Sequence, residues 1–173
     1  MAVQAPELQQ GLSDAFRAAF GNHPAAVAVV TAAGARGPVG ITASSVISVS
    51  ADPALLAFNV SAARGSAAEI LAADSLLVHL LTTQNAALAA AFASPTAERF
   101  GVDMPWSALA DGGPLLHGVG TVLRCDILSR TPAGPATLVV AQVREILDGG
   151  SPAEPLLYHR RGYHSLGAHS LLA

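Results

Sequence analysis

Between Ala25 and Val60 the chain spells three apolar, β-branched runs, each closed by a turn signal. "AAVAVVTAAG" (25–34) ends in "GARGP". A second run over residues 38–51 stops at Asp52-Pro53, and "ALLAFNV" (54–60) follows at once. Runs this short, joined by turns, predict antiparallel strands in a sheet able to close into a barrel. Further strands are expected over 75–81, 121–130, 137–146 and 155–159, with Pro132, Gly134 and Pro135 in the connection between the two long ones. Residues 101–116, Trp106 included, read as irregular.

Helices are expected at the periphery. Leu8, Leu12, Phe16 and Phe20 recur every four residues and draw one apolar helical face, ended by Gly21-Asn22. Ser66 and Glu69 have capping-box spacing at the start of a short helix. The alanine-rich run 85–93 reads as a helix, and "SPTAERF" (94–100) as a further turn with proline at its first position. The first six residues and the last seven read as tails. No internal repeat or linker interrupts the chain, so 173 residues make one domain, with a core over about 14–166.

Only 12% of residues are charged, against about 25% in an ordinary globular domain. That shortage predicts apolar surface covered by a second subunit, with a homodimer as the simplest closed assembly. The nine basic residues are all arginine, the net charge is −3, and no basic stripe occurs, so nucleic acid is not an expected partner. No apolar run approaches the ~20 residues of a membrane helix, and no secretory leader is expected. Cys125 is single, which excludes an intrachain disulfide and fits a reduced, cytoplasmic setting. The six histidines form no metal-ligand pattern, so no metal site is expected.

Two stretches carry candidate chemistry. Thr42, Ser44 and Ser45 put three hydroxyls into four residues of an otherwise apolar strand. They read either as a half-exposed strand bonded to water or as a rail for a polar ligand, with Thr42 and Ser44 on one face. Asn59-Val60-Ser61 leads to Arg64-Gly65-Ser66 as a strand passes into a helix. There Ser66 is a simple cap, or the helix start and the Arg64 guanidinium hold a phosphate. His79 lies inside an apolar strand and reads as a hydrogen-bonded core residue. His159, beside Tyr158 and Arg160-Arg161, is a candidate for contact with an anionic or aromatic ligand. The absence of a "GxSxG" elbow and of paired carboxylates points to chemistry carried by a cofactor.

Taken in order, "FRAAFGNHPAAVAVVT", "GPVGITASSVISVSADPALLAFNV", "ARGSAAEI", "RF", "PLLHGVGTVLRCDI" and "PLLYHRRGYHSL" resemble the flavin reductase-like family. The resemblance implies a mainly β fold, an FMN-binding split β-barrel of Greek-key antiparallel type with peripheral α-helices, and a homodimer. It places Thr42, Ala43, Ser44 and Ser45 along the flavin ring and ribityl chain. Asn59, Val60 and Ser61 follow along the ribityl–phosphate side, with Arg64 and Ser66 at the phosphate. Phe100, from the same or the second subunit, approaches the cofactor, and Tyr158 and His159 lie near the ring, with His159 as the candidate catalytic group. The implied activity is an NAD(P)H:flavin oxidoreductase, with FMN or FAD as flavin and NADH or NADPH as donor, feeding reduced flavin to a monooxygenase. The family's "GDH" histidine is replaced here by Gly134-Pro135-Ala136, and His79 stands where an asparagine is usual. His159 or His117 is then a stand-in. The first change leaves open an FMN-dependent oxidoreductase on another substrate, or a flavin-binding protein without catalysis. A split barrel for a deazaflavin or tetrapyrrole is a further alternative.

Overall fold

The computed structural model describes residues 5–61, 64–148 and 153–172. In chain order these form α1 (Ala5–Gly21), β1 (Ala25–Ala26), β2 (Ala28–Gly34), β3 (Gly37–Ala43), β4 (Ile47–Ala51), β5 (Ala54–Val60) and α2 (Ser66–Ala72). Then come β6 (Ser75–Leu80), α3 (Ala86–Ala93), β7 (Trp106–Ala108), β8 (Pro114–Leu116), β9 (Thr121–Ala133), β10 (Ala136–Asp148), β11 (Leu156–His159) and β12 (Gly162–Ser165).

Seven strands make the main sheet in the order β3-β2-β6-β9-β10-β5-β4, and every neighbouring pair is antiparallel. Its two edges, β3 and β4, are consecutive in sequence. The residues between them, Ser44-Ser45-Val46, therefore carry the chain from one edge of the curled sheet to the other. This is the seam of a split β-barrel, and it corrects the reading of residues 38–51 as one strand. The chain breaks there because it changes partners: β3 pairs with β2, whereas β4 pairs with β5.

Alternation along the central strands builds two cores. Val30, Val78, Phe58, Cys125 and Val139 point into the barrel with Ile70 of α2. Val29, Leu77, Val122 and Leu116 point outward under α3, which adds Ala89 and Phe92. Both faces of β2 and β6 are thus buried, which is why these strands read as unbroken apolar runs. Full burial of each such side chain contributes about 1.5–3 kcal/mol.

Three smaller corrections follow from hydrogen bonding. The run 25–34 splits at Val27, whose amide goes to the Leu156 carbonyl at 3.0 Å. Ala25 and Ala26 then pair with β11 in a separate three-stranded sheet completed by β12. Residues 94–100 are not helical: the Ser94 hydroxyl accepts the Thr96 and Ala97 amides and closes a turn instead. The irregular stretch 101–116 holds the β7–β8 hairpin. Helix α1 forms where its periodicity predicts. Yet Leu12, Phe16 and Phe20 are 71%, 59% and 60% exposed, so among the described residues nothing in the single chain covers them.

Candidate functional site

The seam opens into a cavity of about 1070 Å³. Its wall is the free side of β3, an edge strand bonded to β2 alone. On an antiparallel edge, alternate residues turn both N–H and C=O outward. Gly40 is one of these, since its carbonyl accepts the Arg99 guanidinium at 3.0 Å. The same alternation leaves the backbone groups of Thr42 facing outward. Thr42, Ala43, Ser44 and Ser45 all line the cavity, as do Asn59, Val60 and Ser61 from the end of β5.

The three hydroxyls have different fates. Thr42 Oγ1 donates to the Ala89 carbonyl of α3 at 2.7 Å, and Ser45 Oγ accepts the Asn59 amide at 3.0 Å. Both therefore hold the seam together, and the first donor is spent inside the protein. Ser44 alone is exposed, with no partner among the described residues. Ser61 Oγ donates to Asn59 Oδ1 at 3.3 Å, which keeps that pair as one polar unit on the cavity rim.

Arg64 and Ser66 line the same cavity. The Arg64 side chain is exposed and has no partner among the described residues, so its guanidinium is available to an anion. The capping box does not form. Gly65 is the N-cap, at φ 54°, and no side chain caps the helix. Glu69 Oε2 instead accepts the Ala35 amide at 2.9 Å. The amides of Ala67, Ala68 and Glu69 already bond to the carbonyls of Arg64 and Gly65. The helix start thus offers fewer free donors than its sequence suggests, and Arg64 carries the positive charge of this end.

Sequence reasoning missed Arg99. It donates to the Gly40 carbonyl, to Ser66 Oγ at 3.1 Å and to the Ser94 carbonyl. One guanidinium thereby ties β3, the start of α2 and the end of α3 around the cavity. Its Nε is buried without a partner among the described residues. The signal in the sequence was its place beside Phe100, but nothing local shows that three distant segments converge there.

Phe100 lines the cavity beneath an aromatic series. Its ring meets Phe92 edge-on at 5.3 Å and Trp106 at 5.2 Å. Its backbone is left-handed at φ 59°, held by a Trp106 Nε1 donation to the Phe100 carbonyl at 3.1 Å. Tyr158 lies off the large cavity. It walls a slot of about 230 Å³ that shares Thr42, Ser44 and Ala93 with it. His159 lies further out, on a separate cavity beside α1, with its ring 5.7 Å from that of His164. His117 faces a different hollow beyond α3. Among the described residues no histidine or carboxylate lines the large cavity.

His79 is structural. Nδ1 donates to the Val29 carbonyl and Nε2 accepts the Leu116 amide, both at 3.1 Å. These bonds fix the neutral Nδ1–H tautomer and fasten β8 onto β6. Burial pushes its pKa down to about 4, partly offset by the Val29 bond and reinforced by His117. Cys125 is walled into the barrel core, where burial and the nearby Asp126 charge push its pKa up to about 12 and leave it inert.

The donor set suits a flavin mononucleotide: an edge of backbone groups and a free serine for a ring with alternating donors and acceptors, and an unpaired arginine at one end for a phosphate. The cavity volume is ample for such a ligand. A split barrel with a site of this kind at its seam defines a flavin-type nucleotide binder. The chain belongs to the flavin reductase like domain family, whose profile matches residues 20–167. It is 40% identical over 163 residues to an NADH:FMN oxidoreductase of Rhodococcus erythropolis, covering 92% of this chain and 85% of the relative. The crystal structure of a flavin reductase domain protein from Arthrobacter sp. FB24 superposes with a TM-score of 0.84 at 33% identity, over 90% of this chain and 96% of that one. The styrene monooxygenase flavin reductase of Pseudomonas putida S12 matches with a TM-score of 0.75 at 26% identity, over 88% and 97%. Among the described residues no helix is long and apolar enough to cross a membrane, and no cluster of metal-ligating side chains occurs.

Proposed function

We propose that the chain is an NADH-dependent FMN reductase that passes reduced flavin to a monooxygenase. One observation carries this reading. Of the residues that the family resemblance assigns to the flavin, all but Tyr158 and His159 line one cavity at the barrel seam. When bound, FMN supplies the hydride-accepting chemistry. The chain's own contribution is binding and orientation. Thr42 and Ser44 present the ring edge, Asn59 and Ser61 follow the ribityl chain, and Arg64 with Ser66 holds the phosphate. Amides and hydroxyls along that edge stabilise the negative charge gained on reduction. Among the described residues the lining has no carboxylate or histidine, which suits hydride transfer, where proximity of two stacked rings does most of the work. FAD and NADPH are the alternative flavin and donor.

We further place the protein in the cytoplasm, as one domain and as a homodimer. The exposed Leu12, Phe16 and Phe20 on α1, with Leu128 and Leu138 on the long hairpin, supply apolar surface for a second copy. The test is anaerobic. Protein and FMN are mixed, NADH is added, and the visible flavin absorbance is followed. Rapid bleaching is expected. A flavin that binds, shown by quenched fluorescence, but is not bleached by NADH or NADPH would overturn the reductase reading. It would leave a flavin-binding protein or an enzyme with another donor.

A further inference from the structure

Arg99 stands half-buried in the wall of the large cavity. Its acceptors are all neutral: the carbonyls of Gly40 and Ser94 and the Ser66 hydroxyl. Among the described residues no carboxylate pairs with it. Glu69 shares a neighbouring hollow with it but accepts the Ala35 amide instead. The guanidinium carbon lies 6.0 Å from the Phe92 ring centre, and Nε is buried with no partner among the described residues. A cation drawn this far out of water ordinarily has an anion beside it, because an opposite charge is what offsets its lost hydration. The described residues supply none, and the cavity that Arg99 borders is open to a ligand.

The bond to Ser66 has a direction. Arginine carries donors only, so Nη1 donates and Ser66 Oγ accepts, at 3.1 Å. The hydroxyl hydrogen of Ser66 must point elsewhere. Ser66 caps no helix, and among the described residues its O–H has no acceptor. It lines the cavity. A hydroxyl that accepts from a cation becomes a stronger donor in turn. Ser66 therefore offers the cavity a polarised O–H, which suits an anionic oxygen. The same Nη1 also donates to the Gly40 carbonyl of β3 at 3.0 Å. One nitrogen thus ties the Ser66 hydroxyl to the strand that carries Thr42.

The geometry points to Arg99 as a positioning residue for the flavin phosphate. It acts through Ser66, which it turns from a two-way hydroxyl into a one-way donor. It also adds a second positive charge to the end of the cavity where Arg64 stands. The inference rests on the phosphate placement proposed above, and not on the identity of the electron donor.

The test compares FMN with riboflavin, which has the same ring and ribityl chain but no phosphate. Dissociation constants are read from flavin fluorescence without NADH. The wild type is expected to bind FMN about tenfold tighter than riboflavin, or more. R99Q should weaken FMN binding about tenfold, the loss of one charge-assisted contact, and leave riboflavin within about twofold. S66A should do the same. R99Q/S66A should be no weaker than the weaker single variant, since one path carries both effects. R99K keeps the charge but not the fork, and should show a milder loss than R99Q.

An R99Q protein that weakens FMN and riboflavin alike would make Arg99 a structural brace and overturn the proposal. Losses that add in the double variant would overturn it too, because the two residues would then act independently. If R99Q does not fold, R99K and S66A decide: an unchanged preference for FMN over riboflavin in either one overturns the proposal. A wild type that binds the two flavins equally overturns the phosphate placement itself, and Arg99's part with it. That failure is told apart because it shows without any variant.

Discussion

His79 shows how one residue can be read correctly as core and still carry more than its sequence position reveals. It bonds two strands through both ring nitrogens, so it must stay neutral. The unfolded chain takes up its proton near pH 6.5, the folded protein only at about 4. Between those values the unfolded state binds more protons, so stability falls as pH drops. The slope is about 1.4 kcal/mol per unit, roughly 3 kcal/mol in all, and the term vanishes above pH 6.5. Melting curves between pH 7.5 and 4.5 should show this slope in the wild type and a shallower one in H79N. That variant should also start about 1–3 kcal/mol less stable at pH 7.5, since an amide leaves one partner unmet. Equal slopes in the two proteins would mean that other groups govern acid lability.

At the scale of elements, the cavity depends on α3 lying hard against β3. The contact is made by Gly40. A Cβ there would come within 2.4 Å of a ring carbon of Phe92, which is buried on all sides. G40A should therefore cost about 1–3 kcal/mol through overpacking, and weaken FMN binding by pushing α3 and the Thr42–Ala89 bond apart. F92L in the same chain removes the clashing ring edge and should recover part of the stability. A G40A protein that melts with the wild type would show that the helix can shift at no cost. Arg99 braces the same junction from below, joining β3, α2 and the turn after α3.

For the whole molecule, α1 carries one cluster of unanswered apolar surface. The seventeen-residue helix holds Leu12, Phe16 and Phe20 in water, with the Phe16 and Phe20 rings in tilted contact at 4.6 Å. Burying three such side chains is worth several kcal/mol at about 25 cal/mol per Å², enough to contribute materially to a dimer. Light scattering should give twice the 17.4 kDa chain mass for the wild type. L12D/F16D should shift the protein towards single chains at micromolar concentration, with little change in secondary structure. A wild type that runs as a single chain would remove the second copy from the picture.

Strand identity was legible because it is local. Apolar runs closed by Gly, Pro and Asp placed β5 to the residue, and the four-residue period of Leu12, Phe16 and Phe20 placed α1. The hydroxyl rail at Thr42–Ser45 and the arginine at 64 could also be picked out from residue type alone, and the family resemblance rested on their order. What they bond to could not. Thr42 and Ser45 turned out to be committed to Ala89 and Asn59, 47 and 14 residues away. Ser66 does not cap its helix: Gly65 takes the capping position, and the Ser66 hydroxyl accepts from Arg99 of a distant turn instead. The break at Ser44–Val46 was hidden for the same reason. A strand's local pattern is unchanged when its partner changes, and only closure of the sheet decides which edge each half joins. The convergence of Arg17, Arg160 and Arg161 on one hollow is likewise a product of the β1–β11 pairing. Residue type and period set what each segment can be. Long-range pairing, whose energy no single segment carries, decides which side chains remain free to act.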